Sequence, residues 1–283
     1  MTAADKPEFA PAIGNMPSLQ WCRLDQLQID DAYQRSIDTP GSQSMIRAIA
    51  RTWNWDLCQP LFVARRSDTR MYVVDGQHRL AAARMRGDID QLPCIVSLTD
   101  GPAQEASLFS EFNRRRRQPS QLDLYFADLA AGDPVAADIN CALLAAGLTM
   151  SKHTNVGSFK PGQVMNIAGL RSVHRNFGLD VLTVALMAMA KAWEGQRLQY
   201  AGTLFPGIAE IVRHERAVAQ RAPRWSEGPR VQAIAPFLAS KLQMDWYGLV
   251  MRAKGEAPGT NTHVVSGQVL LKHWTAKHPG GAA

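Results

Sequence analysis

The stretch Met71-Tyr72-Val73-Val74-Asp75-Gly76-Gln77-His78-Arg79-Leu80-Ala81-Ala82-Ala83-Arg84-Met85-Arg86-Gly87 changes character midway. Its first four residues read as a short buried strand, and the run His78 to Arg86 reads as a helix stopped by Gly87. Asp75-Gly76 turns the chain between them. A helix that opens directly off a strand end offers first-turn amides and the positive end of its dipole, which favour an anion. A glycine at that turn lets a phosphate approach the backbone closely. Arg79 could fork onto phosphate oxygens, and His78 could donate a hydrogen bond or exchange a proton near neutral pH. The same residues also read as a plain turn capped by Asp75 with two surface side chains.

Working outward, the alternation of strand and helix continues on both sides. Leu24 to Tyr33 reads as a short strand and polar turn, and Ser42 as the cap of a helix through Met45, Ile46, Ile49, Ala50 and Trp53. Leu61-Phe62-Val63-Ala64 is a strand, joined to Met71–Val74 by the polar turn Arg66-Ser67-Asp68-Thr69. Cys94-Ile95-Val96 follows, then a helix begun by Pro102 and carried through Leu108, Phe109 and Phe112. Beyond Pro119 no strand is evident. Helical patterns cover 122–131, 135–146, 163–177, 179–193, 208–219 and 231–242, with stops such as Gly147, Gly178 and Gly195. The fold class is therefore α+β, an N-terminal α/β domain followed by an all-helical one. The expected limits are a flexible start at 1–18, the α/β domain at 19–118, the helical domain at 119–275 and a flexible tail at 276–283.

Composition narrows the setting. Of 283 residues, 46% are hydrophobic and 20% charged, as in an ordinary globular protein. The start carries Asp5 and Glu8 and lacks the basic, then apolar, order of a signal peptide, so a cytoplasmic protein is expected. The apolar stretch from Val181 to Ala190 is much shorter than the ~20 residues that cross a bilayer, and reads as a buried helix. Cys22, Cys58, Cys94 and Cys141 stand far apart, which fits reduced thiols and argues against zinc. A net charge of +6 makes an acidic partner plausible without identifying it.

The arrangement of arginines says more. Glu111-Phe112-Asn113-Arg114-Arg115-Arg116-Arg117-Gln118-Pro119-Ser120 closes a helix with four arginines in a row. A solvated C-terminal turn would account for them, because cations suit that end of the dipole. Four successive residues also point around most of a helix, so some face the domain body or a ligand, either a nucleotide phosphate or the DNA backbone. Asn113 could bridge a phosphate, a metal-bound water or a base edge.

Several of these boxes, in this order, resemble the ParB/sulfiredoxin superfamily over roughly residues 20 to 130. Gln59-Pro60-Leu61-Phe62-Val63 looks like the strand entry of ParB-like domains. Asp75-Gly76-Gln77-His78-Arg79 resembles the glycine-led helix start of ParB, and more closely the DGQHR box of ParB-like phage, plasmid and DNA-modification proteins. Tyr33-Gln34-Arg35 resembles an element upstream in such relatives, and Asn113 with Gln118-Pro119-Ser120 a box downstream. The resemblance implies a ParB/sulfiredoxin-like fold that binds CTP or another nucleoside triphosphate, with Mg²⁺ as companion ion. Gly76, Gln77, His78, Arg79, Asn113 and Arg114 would hold the nucleotide, and Arg115, Arg116 and Arg117 would face DNA. It departs from the ParB pattern at one point: Ser110 and Glu111 stand where ParB has Glu-Asn, so the acidic metal partner is displaced. Gln77 stands where sulfiredoxin has its catalytic Cys, which removes that chemistry.

Three functions compete at this level. The first is a nucleotide-switched, DNA-associated protein of mobile-element or phage type, with a homodimer as one possible assembly. The second is a ParB-like nuclease, for which Asp75 and Glu111 are the candidate catalytic carboxylates, although no clustered carboxylates support it. The third is a small-molecule phosphotransferase of the free-serine-kinase type, with Asp75 or Glu111 as base. A helix-turn-helix over 122–146 lacks a basic reading face, and its helices are expected to pack on the α/β domain instead. Arg171, His174 and Arg175 form a small alternative basic face. Trp193, Trp225, Trp246 and Trp274 read as packing residues.

Overall fold

A computed structural model describes residues 10–34, 36–115, 118–153, 160–221 and 227–278, without the side chains of 220–221 and 227–231. The chain divides into two compact units, Met1–Arg117 and Gln118–Ala283. The first holds strands β1 (Ser18–Arg23), β2 (Leu27–Gln28), β3 (Leu61–Arg65), β4 (Met71–Asp75) and β5 (Gln91–Leu98), with helices α1 (Pro40–Arg51), α2 (Gln77–Arg86) and α3 (Pro102–Arg115). The sheet order is β1-β5-β3-β4-β2, with β3 parallel to β5, β2 parallel to β4 and the other pairs antiparallel. Its two edge strands are joined only by Leu24–Gln26. Such a connector spans ~14 Å at most, whereas four strand spacings make ~19 Å in a flat sheet. The sheet therefore curls. Cys22, Leu61, Val63, Val73, Leu92, Cys94 and Val96 form one core with Leu80 and Ala83 of α2, and α1 adds Ile46 and Ala50 against Ala82.

Two local expectations are corrected. The strand expected in Leu24 to Tyr33 shrinks to Leu27–Gln28, and the longer strand lies before it at Ser18–Arg23. Only Cys22 of that strand is buried, so no inward apolar alternation betrays it. Thr39, not Ser42, caps α1: its Oγ1 accepts the Ser42 amide at 3.2 Å, because Pro40 takes the first helical position. The Arg66–Thr69 turn forms as expected, with Thr69 at φ 67°.

Arg66 then enters a network that the sequence did not announce. Glu105, in the first turn of α3, is completely buried. Its carboxylate accepts from Arg66 Nε at 2.8 Å and Nη2 at 2.7 Å, from the Tyr33 hydroxyl at 3.0 Å and from Thr99 Oγ1 at 3.0 Å. Arg66 also pairs with Asp30 and stacks 3.6 Å over the Tyr72 ring. Burial pushes the Glu105 carboxyl up, but the hydrogen bonds from Arg66, Tyr33 and Thr99 outweigh it and hold the group below its ordinary value.

The second unit contains α4 (Gln121–Ala130), α5 (Pro134–Ala145), α6 (Ile167–Ala192), α7 (Ala201–Arg221), α8 (Glu227–Ala239), α9 (Gln243–Glu256) and α10 (Thr262–Lys277). Gly178, at φ 84° and ψ 171°, breaks α6 where a stop was expected. Two short strands, β6 (Thr149–Met150) and β7 (Gln163–Val164), correct the expectation of none, and α6 starts at Ile167 behind an Asn166 cap rather than at Gln163. The apolar stretch expected as a buried helix is one, with Val181, Leu182, Ala185, Leu186 and Met189 in the core. Among the described residues no helix is long and apolar enough to cross a membrane. The buried faces of α4 and α5 belong to this unit's own core. Trp193, Trp246 and Trp274 are core residues as expected, and Trp225 lies outside the described residues. Gly207 allows α7 and α10 to meet, since a Cβ there would stand 2.7 Å from the Ser266 carbonyl oxygen.

A pH dependence follows from Glu105. Its depressed folded pKa contributes stability that is fully present above the ordinary carboxylate range near pH 4.3 and is lost as pH falls through the folded value. Glu105→Gln should cost about 1.5–3 kcal/mol at neutral pH, because the charge to which Arg66, Tyr33 and Thr99 hydrogen-bond is lost while the partly buried Arg66 keeps Asp30, and should flatten the fall in stability below about pH 4.5. Urea midpoints measured across pH check both; a wild-type midpoint for the variant at pH 7 would overturn the assignment.

Candidate functional site

The site is built where β4 ends. Asp75 closes the strand, Gly76 takes the left-handed conformation at φ 101°, and α2 begins at Gln77. Glycine is required twice over here. A side chain is strained at that φ, and a Cβ would stand 2.2 Å from Leu61 Cδ2. The first backbone bond of α2 runs from the Leu80 amide to the Gly76 carbonyl at 3.0 Å. The amides before Leu80 thus lie outside the helix ladder, at the positive end of the dipole.

Arg79 holds this turn to its surroundings. Its Nη1 donates to the Gln59 carbonyl and, at 3.2 Å, to the Pro60 carbonyl, while Nη2 meets Asp75 Oδ2 at 3.2 Å. The Gln59-Pro60 box and the Asp75–Arg79 box are therefore two halves of one contact. Gln34 completes the strand end from the other direction: it is buried, and its Nε2 donates to the carbonyls of Val73 at 2.9 Å and Val74 at 3.0 Å. Beside it, Tyr33 is tied to Glu105, and burial raises the phenol, helped by the negative charge of Glu105.

A cavity of about 400 Å³ opens on the turn, walled by Asp75, Gly76, Gln77, His78 and Arg79, by Gln34 and Val74, by Met45 and Ile49 of α1, and by Phe109 and Asn113 of α3. Asn113 Nδ2 donates to the Phe109 carbonyl at 2.8 Å, which orients its amide. A second, more apolar cavity of about 600 Å³ is lined by Pro60, Phe62, Ile95, Leu108 and Phe112, with Glu111, Arg115 and Asp75. Phe62 and Phe112 pack there as a tilted pair, 4.7 Å between centroids.

The structure thus brings Asp75, Gly76, Gln77, His78, Arg79 and Asn113 to one cavity and leaves Glu111 at another. Glu111 pairs with Arg115 at 2.7 Å and Arg114 at 3.6 Å, and both arginines are otherwise largely exposed. Arg116 and Arg117 lie outside the described residues, as does Arg35. Gln34, Met45, Ile49 and Phe109 are the wall residues that sequence reasoning did not assign. The Tyr33-Gln34-Arg35 element was the available signal for Gln34. Two of the three residues of the alternative basic face have acidic partners, since Arg171 pairs with Asp128 and His174 Nε2 lies 2.9 Å from Asp138.

No group of three or more His, Cys, Asp and Glu among the described residues is arranged to hold a metal. Mg²⁺ usually enters such sites with phosphates and needs only one or two carboxylates. Asp75 is the acidic residue on the wall of the Gly76 cavity, so the donor set fits an ion carried by a ligand and not a resident one.

Comparison with known proteins gives a family and a set of distant structures. No curated protein matches the chain. It is similar to C-terminally truncated chromosome-partitioning protein ParB from Caulobacter crescentus complexed with CTP-gamma-S, at 15% identity and a TM-score of 0.38, over 60% of this chain and 99% of that one. The same protein complexed to the centromeric parS site is similar at 12% identity and a TM-score of 0.23, over 88% and 98%. A Pnob8-like ParB-N domain is similar at 10% identity and a TM-score of 0.26, over 82% and 96%. Likeness at these scores carries no weight for function. The model of a family of unknown function, DUF6551, matches residues 29–218, well over half of the chain, and the chain belongs to that family.

Proposed function

We propose that the N-terminal unit binds a nucleoside triphosphate, CTP or another, in the cavity at Gly76, and that the protein acts on DNA as a ParB-like, nucleotide-switched factor. The observation that carries the reading is the left-handed Gly76 turn that opens α2 against a cavity of about 400 Å³. That volume suits a small ligand, and the first turn of α2 with Gln77, His78 and Asn113 suits its phosphates. Arg79 adds positive charge to the wall and keeps the turn in place through Gln59, Pro60 and Asp75. Arg115, Arg116 and Arg117 are the residues proposed to meet nucleic acid, with the DNA backbone as the common feature of every site.

Slow or absent hydrolysis fits the same geometry. Asp75 is ion-paired to Arg79 and Glu111 to two arginines, and although both line the larger cavity, only Asp75 reaches the one at Gly76. In each pair a guanidinium occupies carboxylate oxygen that would otherwise accept a proton from water. This disfavours the nuclease and the phosphotransferase.

Titration of the purified protein with CTP, ATP, ADP and GTP by calorimetry, with and without Mg²⁺ and duplex DNA, tests the reading. One triphosphate should bind, and His78→Ala with Asn113→Ala should weaken it at least ~10-fold, the loss expected from about one charge-assisted hydrogen bond, with unchanged thermal stability. Arg79→Ala should lose binding and stability together, because it releases the Gln59-Pro60 segment. No binding of any of the four, or full affinity in the double variant, would overturn the site.

The arginine row makes a separate prediction. Replacing Arg115, Arg116 and Arg117 by Ala should weaken binding to every duplex about equally and flatten the slope of log affinity against log salt by up to ~2–3 units. An unchanged slope would return the row to a solvated helix end.

A further inference from the structure

Among the described residues the curled sheet leaves one long edge open. β2, at one end of the sheet, is two residues long, and that brevity protects it. β1, at the other end, has six residues and is paired on one side only. Which of its groups point outward follows from two independent facts. Trp21 is opposite Pro93, which has no N–H, and the Leu24 amide reaches inward to the Asp90 carbonyl at 2.9 Å. Antiparallel pairing alternates, so the even-numbered residues bond to β5 while the backbone groups of Leu19, Trp21 and Arg23 face away from it. Among the described residues nothing hydrogen-bonds to those outward groups.

The usual protections of such an edge are missing. Between Leu19 and Cys22 there is no charge, proline or bulge, and Leu19 and Trp21 are 78% and 58% exposed. Trp55 and Leu57, exposed as well, extend the apolar surface, with Trp55 6.1 Å from Trp21 between ring centroids.

We infer that β1 is a homodimer interface, where it pairs antiparallel with β1 of a second copy about a two-fold axis at Gln20. A second copy is the occupant the edge itself specifies, because the sequence is self-complementary in this register. Leu19 faces Trp21 of the partner copy on both sides of the axis, giving two hydrogen-bonded pairs and two aromatic–aliphatic contacts. The Arg23 side chains fall at opposite ends, so no like charges meet, and each is already paired with Asp25. Gln20 sits on the axis as a pair without backbone hydrogen bonds, where opposed Cα atoms lie ~4.5 Å apart, inside the range a disulfide spans. This inference does not depend on the nucleotide reading.

Sedimentation velocity of the full chain tests it. At about 100 μM, far above a micromolar dissociation constant, the wild type should be dimeric. Trp21→Pro removes an outward N–H that the inner ladder does not use, and Trp21→Lys puts a charge on the edge. Each should weaken the dimer at least ~10-fold, as loss of ~1.4 kcal/mol or more requires, with an unchanged circular-dichroism spectrum. Trp21→Lys keeps the test alive should the proline variant misfold. Under mild oxidation Gln20→Cys should give a covalent dimer linked through position 20 in both copies. A monomeric wild type, a dimer indifferent to both Trp21 variants, or a dimer that Gln20→Cys fails to link would overturn the inference.

Discussion

The α/β unit depends on an absence of space. Leu61 Cδ2 stands 2.2 Å from where a Cβ on Gly76 would be. β3 and the start of α2 can approach this closely only because residue 76 has no side chain, and that approach lets Arg79 reach back to Gln59 and Pro60. One missing carbon therefore fixes the strand-to-helix turn, the entry into β3 and the mouth of the cavity together. Anion-binding turns demand such closeness for a second reason, since a ligand can approach only backbone that is not screened by side chains. Packing and binding ask the same thing of this position.

How far the sequence discloses this differs from element to element. The change from a Val-rich run to an Ala- and Arg-rich one at Asp75-Gly76 marks β4 and α2 to within a residue, because period and punctuation agree there. β1 escapes for a physical reason: a curled sheet leaves its edge strand with one inward residue, and period-two alternation needs more. The network around Glu105 escapes for another. Its members stand at 30, 33, 66, 99 and 105, and no local pattern links an acid in the first turn of a helix to an arginine in a hairpin. Sequence reading assigns such an acid to the helix dipole, and only tertiary structure reveals it as a buried hub.

The candidate site divides in the same way. Residues 75 to 79 are contiguous and were legible as a group. Asn113 was legible through its box, and the fold brings it to the same cavity. Glu111, two residues earlier, goes elsewhere, because successive helix residues turn by about 100° and cannot share a face at that spacing. Gln34 is the instructive omission. A glutamine in a polar turn looks like solvent-facing filler, yet its amide closes the carbonyls at the end of β4. Its hydrogen bonds replace those a further neighbouring strand would supply at the point where the sheet gives way to the cavity.

The pairing of β1 with β5 also bears on how the chain assembles. Ser18 finds its partner at Val96, and the intervening residues include every other strand of the sheet. During synthesis β1 leaves the ribosome first and waits for β5, while β3, β4 and α2 can already form their shorter-range contacts. Loop closure over such a distance is the slow, entropically opposed part of folding. The nascent chain passes through a stage in which Leu19, Trp21 and Cys22 are all uncovered. The segment that forms the sheet's longer edge in the finished protein is thus uncovered from the time it emerges until β5 follows it.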